Sequence, residues 1–113
     1  MKSIIRSLSK SNDFNQLILG KKKVNKYSTI CFKKLSNKDN RKFNISFVVK
    51  KKIGNAVMRN KAKRRLRNII HNISKDLKIN LNYSYLLIVK KNLIQDKYQN
   101  VKNILYEEFN NIK

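Results

Sequence analysis

The chain is predicted to fold as an α/β (α+β) sandwich, a small mixed sheet covered by helices. Three observations predict it. Phe43, Ile45, Phe47 and Val49 alternate with Asn44, Ser46, Val48 and Lys50, the period of a strand with one buried face. From about Ala56 to Leu77 no Gly or Pro interrupts good helix formers, and Ala62, Leu66, Ile69, Ile70 and Ile73 fall on one stripe of a helical wheel. Tyr83 to Lys90, YSYLLIVK, is apolar on both parities at its centre, which suits an inner strand covered on both faces. A strand, a helix and a strand in that order give a parallel pair if both strands join one sheet. At 113 residues and 41% hydrophobic content, the chain suits a single domain, 1–113, with one modest core.

In chain order, Ser11 is expected to cap a short helix over Asn12 to Leu19, with Asp13 in its first turn. Phe14, Leu17 and Ile18 share one face of it, and Gly20 ends it. Lys21 to Lys23 read as a charged connector. Tyr27 to Leu35, YSTICFKKL, reads as the first strand, rich in β-branched and aromatic residues. Ser36 to Arg41 is a polar loop, and Phe43 to Lys50 is the second strand. Gly54 is expected to relieve a tight approach between this strand and the long helix, and Asn55 to cap the helix. Lys78 to Asn82 is a loop before the third strand. Asp96 reads as the cap of the last helix, with Gln99 at its third position. The stripe of that helix is Tyr98, Val101, Leu105, Phe109 and Ile112. The resulting order is α-β-β-α-β-α, with room for one strand to be split in two. Glu107 and Glu108 sit in the last helical turn, where the macrodipole disfavours acids; nothing in the sequence accounts for them.

Charge points to the partner. The chain carries 28 Lys+Arg against 6 Asp+Glu, a net +22, so an anionic polymer is expected. Nucleic acid fits better than a membrane. No run approaches a spanning length, the longest being Tyr85 to Val89, and no basic helix pairs its charge with exposed Trp or Phe. The cations are also ordered. Arg59, Lys63 and Arg67 stack at i, i+4 and i+8 beside the apolar stripe, and Asn60, Arg64 and His71 widen the band. Lys50, Lys51 and Lys52 precede the helix. Like charges at this spacing repel by about a few tenths of a kcal/mol per pair, and cations at a helix start oppose its dipole. A bound polyanion would offset both costs, and a phosphate would also find free N–H groups at the helix start.

Catalytic groups are sparse. The acids are Asp13, Asp39, Asp76, Asp96, Glu107 and Glu108, none of them between Lys50 and His71. A protein nuclease needs carboxylates to hold metal ions or a base aimed at water. His71 is the only histidine, and no phosphate-loop or nucleophile-elbow motif occurs. Cys31 is the only cysteine, so neither an intrachain disulfide nor a Cys-based metal site is expected, and a reducing compartment fits. The opening MKSIIRSLSK is basic but lacks an apolar core, so no secretory signal is expected. The residues describe a binder rather than a self-sufficient enzyme.

Gly54 to Arg67 resembles the signature of the bacterial ribonuclease P protein subunit family, R-N-x-x-K-R-x-x-R after a G-N-A-V-x lead. Arg59, Asn60, Lys63, Arg64 and Arg67 fill every motif position, after Gly54, Asn55, Ala56 and Val57. The order of elements from Ser11 to Phe109 agrees as well. The resemblance implies a left-handed strand–helix–strand crossover, against the right-handed default. It implies a protein that assists a catalytic RNA in endonucleolytic removal of the 5′ leader from precursor tRNA. The partners are then that RNA subunit and precursor tRNA, with no membrane and no obligate protein partner, in a bacterial cytoplasm. Mg²⁺ would be held mainly by the RNA and none by the protein. Arg59, Asn60, Lys63, Arg64 and Arg67 would bind the RNA subunit. The leader would lie between the sheet and the first helix, against Phe14, Ile18, Phe32, Ser46, Val48, Lys50, Lys51 and Lys52. Ile18 stands where members usually carry a second aromatic, which weakens base stacking there. The alternative from the residues alone is a ribosomal-type or general basic RNA-binding structural protein.

Overall fold

A computed structural model describes residues 5–6, 11–34 and 42–112, with side chains over 15–34 and 42–112. The loop expected over 36–41 falls outside these residues, as do the side chains of Ser11, Asp13 and Phe14. Among the described residues, β1 (Ile5–Arg6), β2 (Lys21–Val24), β3 (Ser28–Lys33), β4 (Phe43–Val48) and β5 (Ser84–Val89) form one mixed sheet in the order β1-β4-β5-β3-β2. The helices are α1 (Ser11–Ile18), α2 (Ala56–Asp76), α3 (Asn92–Gln95) and α4 (Tyr98–Asn111), with a 3₁₀ turn at Lys51–Ile53. β5 lies in the middle, parallel to β4 and antiparallel to β3. The strand–helix–strand unit β4-α2-β5 is therefore parallel, as its order predicts.

Register sorts the side chains onto two faces. Phe43 and Ile45 of β4, Tyr85, Leu87 and Val89 of β5, and Ile30 and Phe32 of β3 face α2 and α4 and pack with the helical stripes. Ala62, Leu66, Ile69, Ile70 and Ile73 are buried without remainder, as are Val101 and Leu105. Each large aliphatic side chain buried this fully contributes about 1.5–3 kcal/mol. Tyr85, Phe43 and Phe109 meet edge to face or tilted at centroid distances of 5.3 to 5.8 Å. On the opposite face α1 lays Leu17 onto Cys31 and Leu86, with Val48 and Ile88 beside them.

Four details differ from the expected order. Lys21–Val24 is an edge strand, not a connector: Lys21 pairs with Phe32 and Val24 with Thr29. Three lysines suit an edge that must not recruit further strands. Gly20 lets the chain enter this strand, since a Cβ there would lie 2.6 Å from the Phe32 carbonyl oxygen. β1 joins β4 at the other edge, and α3 adds a short turn of helix before α4. Gly54 is fully extended, a conformation open to any residue. Its Cβ would meet the Met58 side chain at 2.7 Å, so the close approach is to the first turn of α2 and not to the strand.

Asp96 does not cap α4, which starts after Lys97 with no side-chain cap. Its carboxylate instead accepts from the Tyr27 hydroxyl, the Lys97 N–H at 2.7 Å and the Asn100 amide at 3.2 Å. Lys26 lies 3.4 Å away. The Tyr27 hydrogen bond above all, then the other two, hold the Asp96 carboxyl well below the usual carboxylate range, and the same bond raises Tyr27. A carboxyl with a lower pKa folded than unfolded adds stability above about pH 4 and loses it as the pH falls further. Between about pH 4 and 2 the thermal midpoint of the parent chain should fall more steeply than that of Asp96→Asn. Parallel curves would mean that this carboxylate does not link the β2–β3 turn to the helices.

Candidate nucleic-acid interface

Helix α2 starts where the sequence places its cap. The Asn55 side chain accepts from the Met58 N–H at 2.9 Å, and the first turn holds no acid. With the buried stripe turned to the sheet, Arg59 and Lys63 lie half-buried on one flank and Asn60, Arg64 and Arg67 project into solvent. From Arg59 to Arg67 the ladder rises about 12 Å. Among the described residues, no carboxylate pairs with Arg59, Lys63, Arg64 or Arg67; the one ion pair is Lys26 with Asp96. The Arg59 Nε is shielded from solvent and has no acceptor, a cost of about 1–3 kcal/mol for an orphaned donor.

One cation of the run is different. Arg65 Nη1 donates to the carbonyls of Leu93 at 2.9 Å and Asp96 at 2.7 Å. It clamps α2 to the end of α3 and is not part of the interface. The R-N-x-x-K-R-x-x-R spacing skips this residue.

Lys50, Lys51 and Lys52 are exposed and form the approach to α2, two of them within the 3₁₀ turn. Lys50 and Lys52 line a groove of about 400 Å³ with Lys90 and Lys91, over a floor that includes Thr29, Ile53 and Ile88. Lys90 is held by the Asn25 carbonyl at 2.7 Å. The groove lies at the carboxyl ends of the parallel strands β4 and β5, beside the start of α2. Lys90 and Lys91 were not among the expected site residues. Their signal was position, since residues just past the end of a parallel strand border such crevices.

The remaining expected residues separate. Ser46 and Val48 pair with Leu86 and Ile88 and share the face that α1 covers, as their parity predicts. Ile18 ends α1 at 44% exposure. Phe14 lies in α1, with its side chain outside the described residues. Phe32 is a correction: it sits on the opposite face, 6% exposed, against Tyr83 and Tyr85. The β3 residues on the α1 face are Thr29, Cys31 and Lys33, and Leu17 covers Cys31. Burial raises the Cys31 thiol pKa, a shift the Lys22 charge only partly opposes.

Two of the described acids are engaged away from the ladder. Asp96 is engaged by Tyr27, and Asp76 accepts from the Tyr106 hydroxyl at 2.7 Å; burial, then that bond, push Tyr106 up to about 12. Among the described residues no three His, Cys, Asp or Glu side chains come together as a metal site, and no helix is long and apolar enough to cross a membrane.

Fold and ladder together define a polyanion-binding α/β protein in which, among the described residues, no carboxylate pairs with the cation ladder. The ribonuclease P family profile matches residues 5–113, and the chain belongs to that family. The ribonuclease P protein component of Mycoplasma capricolum is 32% identical over 115 aligned positions, covering 96% of each chain. That of Fusobacterium nucleatum is 35% identical, covering 96% of this chain and 98% of its own. The structure of the RNase P protein from Thermotoga maritima matches with a TM-score of 0.78 at 26% identity, covering 96% of this chain and 98% of that one.

Proposed function

We propose that this chain, as the protein component of a ribonucleoprotein endonuclease, docks on the RNA subunit through α2 and holds the 5′ leader of precursor tRNA along the sheet and its lysine-lined groove. The observation that carries this reading is the unpaired cation ladder. Arg59, Lys63, Arg64 and Arg67 are presented at helical pitch with no carboxylate among the described residues to neutralise them. Arg forks fix register on phosphates and Lys supplies point charge. A phosphate that draws the Arg59 guanidinium outward would also relieve its orphaned Nε.

The described face beneath α1 includes Thr29, Cys31, Lys33, Ser46, Val48, Leu86 and Ile88. None of these strand residues carries a ring, so on the strand side backbone charge carries leader binding and sequence preference is weak. We assign no bond-breaking group to the polypeptide. Asp76, at the end of α2, is engaged by Tyr106 of α4, and Asp96, between α3 and α4, by Tyr27 of the β2–β3 turn. Mg²⁺ held by the RNA would activate water and stabilise the leaving oxygen. The protein's part is to position substrate and screen phosphate repulsion. The relatives are bacterial, and a bacterial cytoplasm suits the lone Cys31. Family membership does not favour a ribosomal-type or general packaging role.

The test mixes the purified chain with a ribonuclease P RNA and precursor tRNA at low Mg²⁺, with no other protein. Leader removal should accelerate at least tenfold over RNA alone, with the largest effect where Mg²⁺ is scarce. Equal rates with and without the chain would end the proposal.

A further inference from the structure

A second concavity, of about 570 Å³, is bounded by Leu19, Lys21, Phe32, Lys33, Lys34 and Tyr83. It lies at the other end of the sheet from the lysine-lined groove. Tyr83 precedes β5 and Lys34 follows β3, whereas Lys90 follows β5 and Thr29 is the second residue of β3. The length of β5 between them is about 17 Å. This site is therefore not a continuation of the groove.

Its chemistry is two-sided. Leu19 is 77% exposed and, with the Tyr83 ring, supplies an apolar wall. Tyr83 meets Phe32 at 69° and Tyr85 at 80°, so neither neighbour lies flat on it. A planar group can therefore stack on the half-buried ring from the pocket side. Three cations border the wall. Lys33 is held by the Gln16 side chain at 3.0 Å, while Lys21 and Lys34 reach into solvent. An aromatic surface beside two uncommitted ammonium groups matches a base with its phosphate, the pairing used to hold unstacked single strands.

We propose that this pocket takes one unstacked nucleotide of RNA, with the base against Tyr83 and the phosphate between Lys21 and Lys34. It rests on the RNA-binding reading above and adds a second, separate contact to it. With α2 on one side and this pocket about a strand length away, the chain grips RNA at two points and fixes orientation as well as register.

The test titrates the full chain with adenosine 5′-monophosphate and follows backbone amide shifts by NMR. Separate arms use inorganic phosphate, adenosine and a hexaglutamate peptide. Saturable shifts at Gly20, Lys34 and Tyr83 are expected with the nucleotide, and weaker ones with phosphate or adenosine alone. Tyr83→Leu, which keeps an apolar side chain but no ring face, should weaken binding about tenfold. Tyr83→Phe should retain it, and Lys34→Gln should weaken it severalfold. Should Tyr83→Leu not fold, Lys34→Gln and Tyr83→Phe carry the test. Phosphate or hexaglutamate matching the nucleotide would overturn the proposal, as would shifts confined to Lys50–Lys52 and the start of α2. Either result, with stimulation of leader removal intact, would leave the family function standing and remove only this pocket.

Discussion

Replacing Arg59, Lys63 and Arg67 together by alanine is expected to reduce affinity for the RNA subunit by about 10²–10³-fold at moderate salt. The three side chains lie on one flank of α2, with no acid among the described residues to neutralise them. If each meets a phosphate, the loss is about 1–1.5 kcal/mol apiece, since charge-assisted hydrogen bonds exceed neutral ones and part of the charge is screened. The sharper readout is salt. The slope of log affinity against log salt should flatten by about two to three units, one counterion release per contact. Stability should barely change: the substitutions remove repulsion along i, i+4 and insert the best helix former, while shortening the partly packed Arg59 stem. A control removes the same charge elsewhere. Lys42, Lys78 and Lys97 are exposed and lie outside α2, so their triple alanine variant should change the slope by less than one unit. Equal slopes for the two triple variants would mean that bulk charge, not the ladder, holds the RNA.

The readable part of this protein was the part set by local period. The α2 stripe, its flanking cations and the Asn55 cap all follow from spacing within about two turns of helix, and each is in place. The inner position of β5 was legible for a related reason, since only a strand covered on both faces tolerates YLLIV. The failures share one cause, which is that the deciding partner is distant in sequence. In β3 residues on both parities are buried, Ile30, Cys31 and Phe32 in succession, so alternation could not say whether Phe32 or Cys31 faces α1. The partner strands decide it, through the pairing of Phe32 with Tyr85. Lys21–Val24 has little strand propensity and becomes a strand because β3 offers an open edge. Asp96 resembles a helix cap by its spacing to Gln99, but Tyr27, 69 residues away, claims the carboxylate. In the functional site the helix was legible, while the groove was not: it draws on β3, the 3₁₀ turn and the end of β5 together.

Neighbouring arginines on α2 should respond oppositely to the same substitution. Arg64 and Arg65 stand side by side, but about 100° apart around the helix. Arg64 is exposed and without a protein partner among the described residues. Arg65 closes two bonds from one nitrogen, to Leu93 and Asp96 carbonyls, at the joint between α3 and α4. Arg65→Ala should therefore destabilise the fold by about 2–3 kcal/mol, because it strips a charged donor from two partly buried acceptors. For a domain of this size that lowers the thermal midpoint by about 10 °C. Arg64→Ala should stay within about 0.5 kcal/mol of the parent and lose RNA affinity, with a salt slope shallower by about one unit. Both variants lower the net charge by one, so loss of charge cannot produce the contrast; only the bonding of each side chain can. Arg65→Lys should recover part of the stability, since an ammonium reaches with less fixed geometry than a guanidinium. Matching midpoints for Arg64→Ala and Arg65→Ala would show that the Leu93 and Asp96 carbonyls are satisfied by water, and that Arg65 belongs to the RNA-facing surface after all.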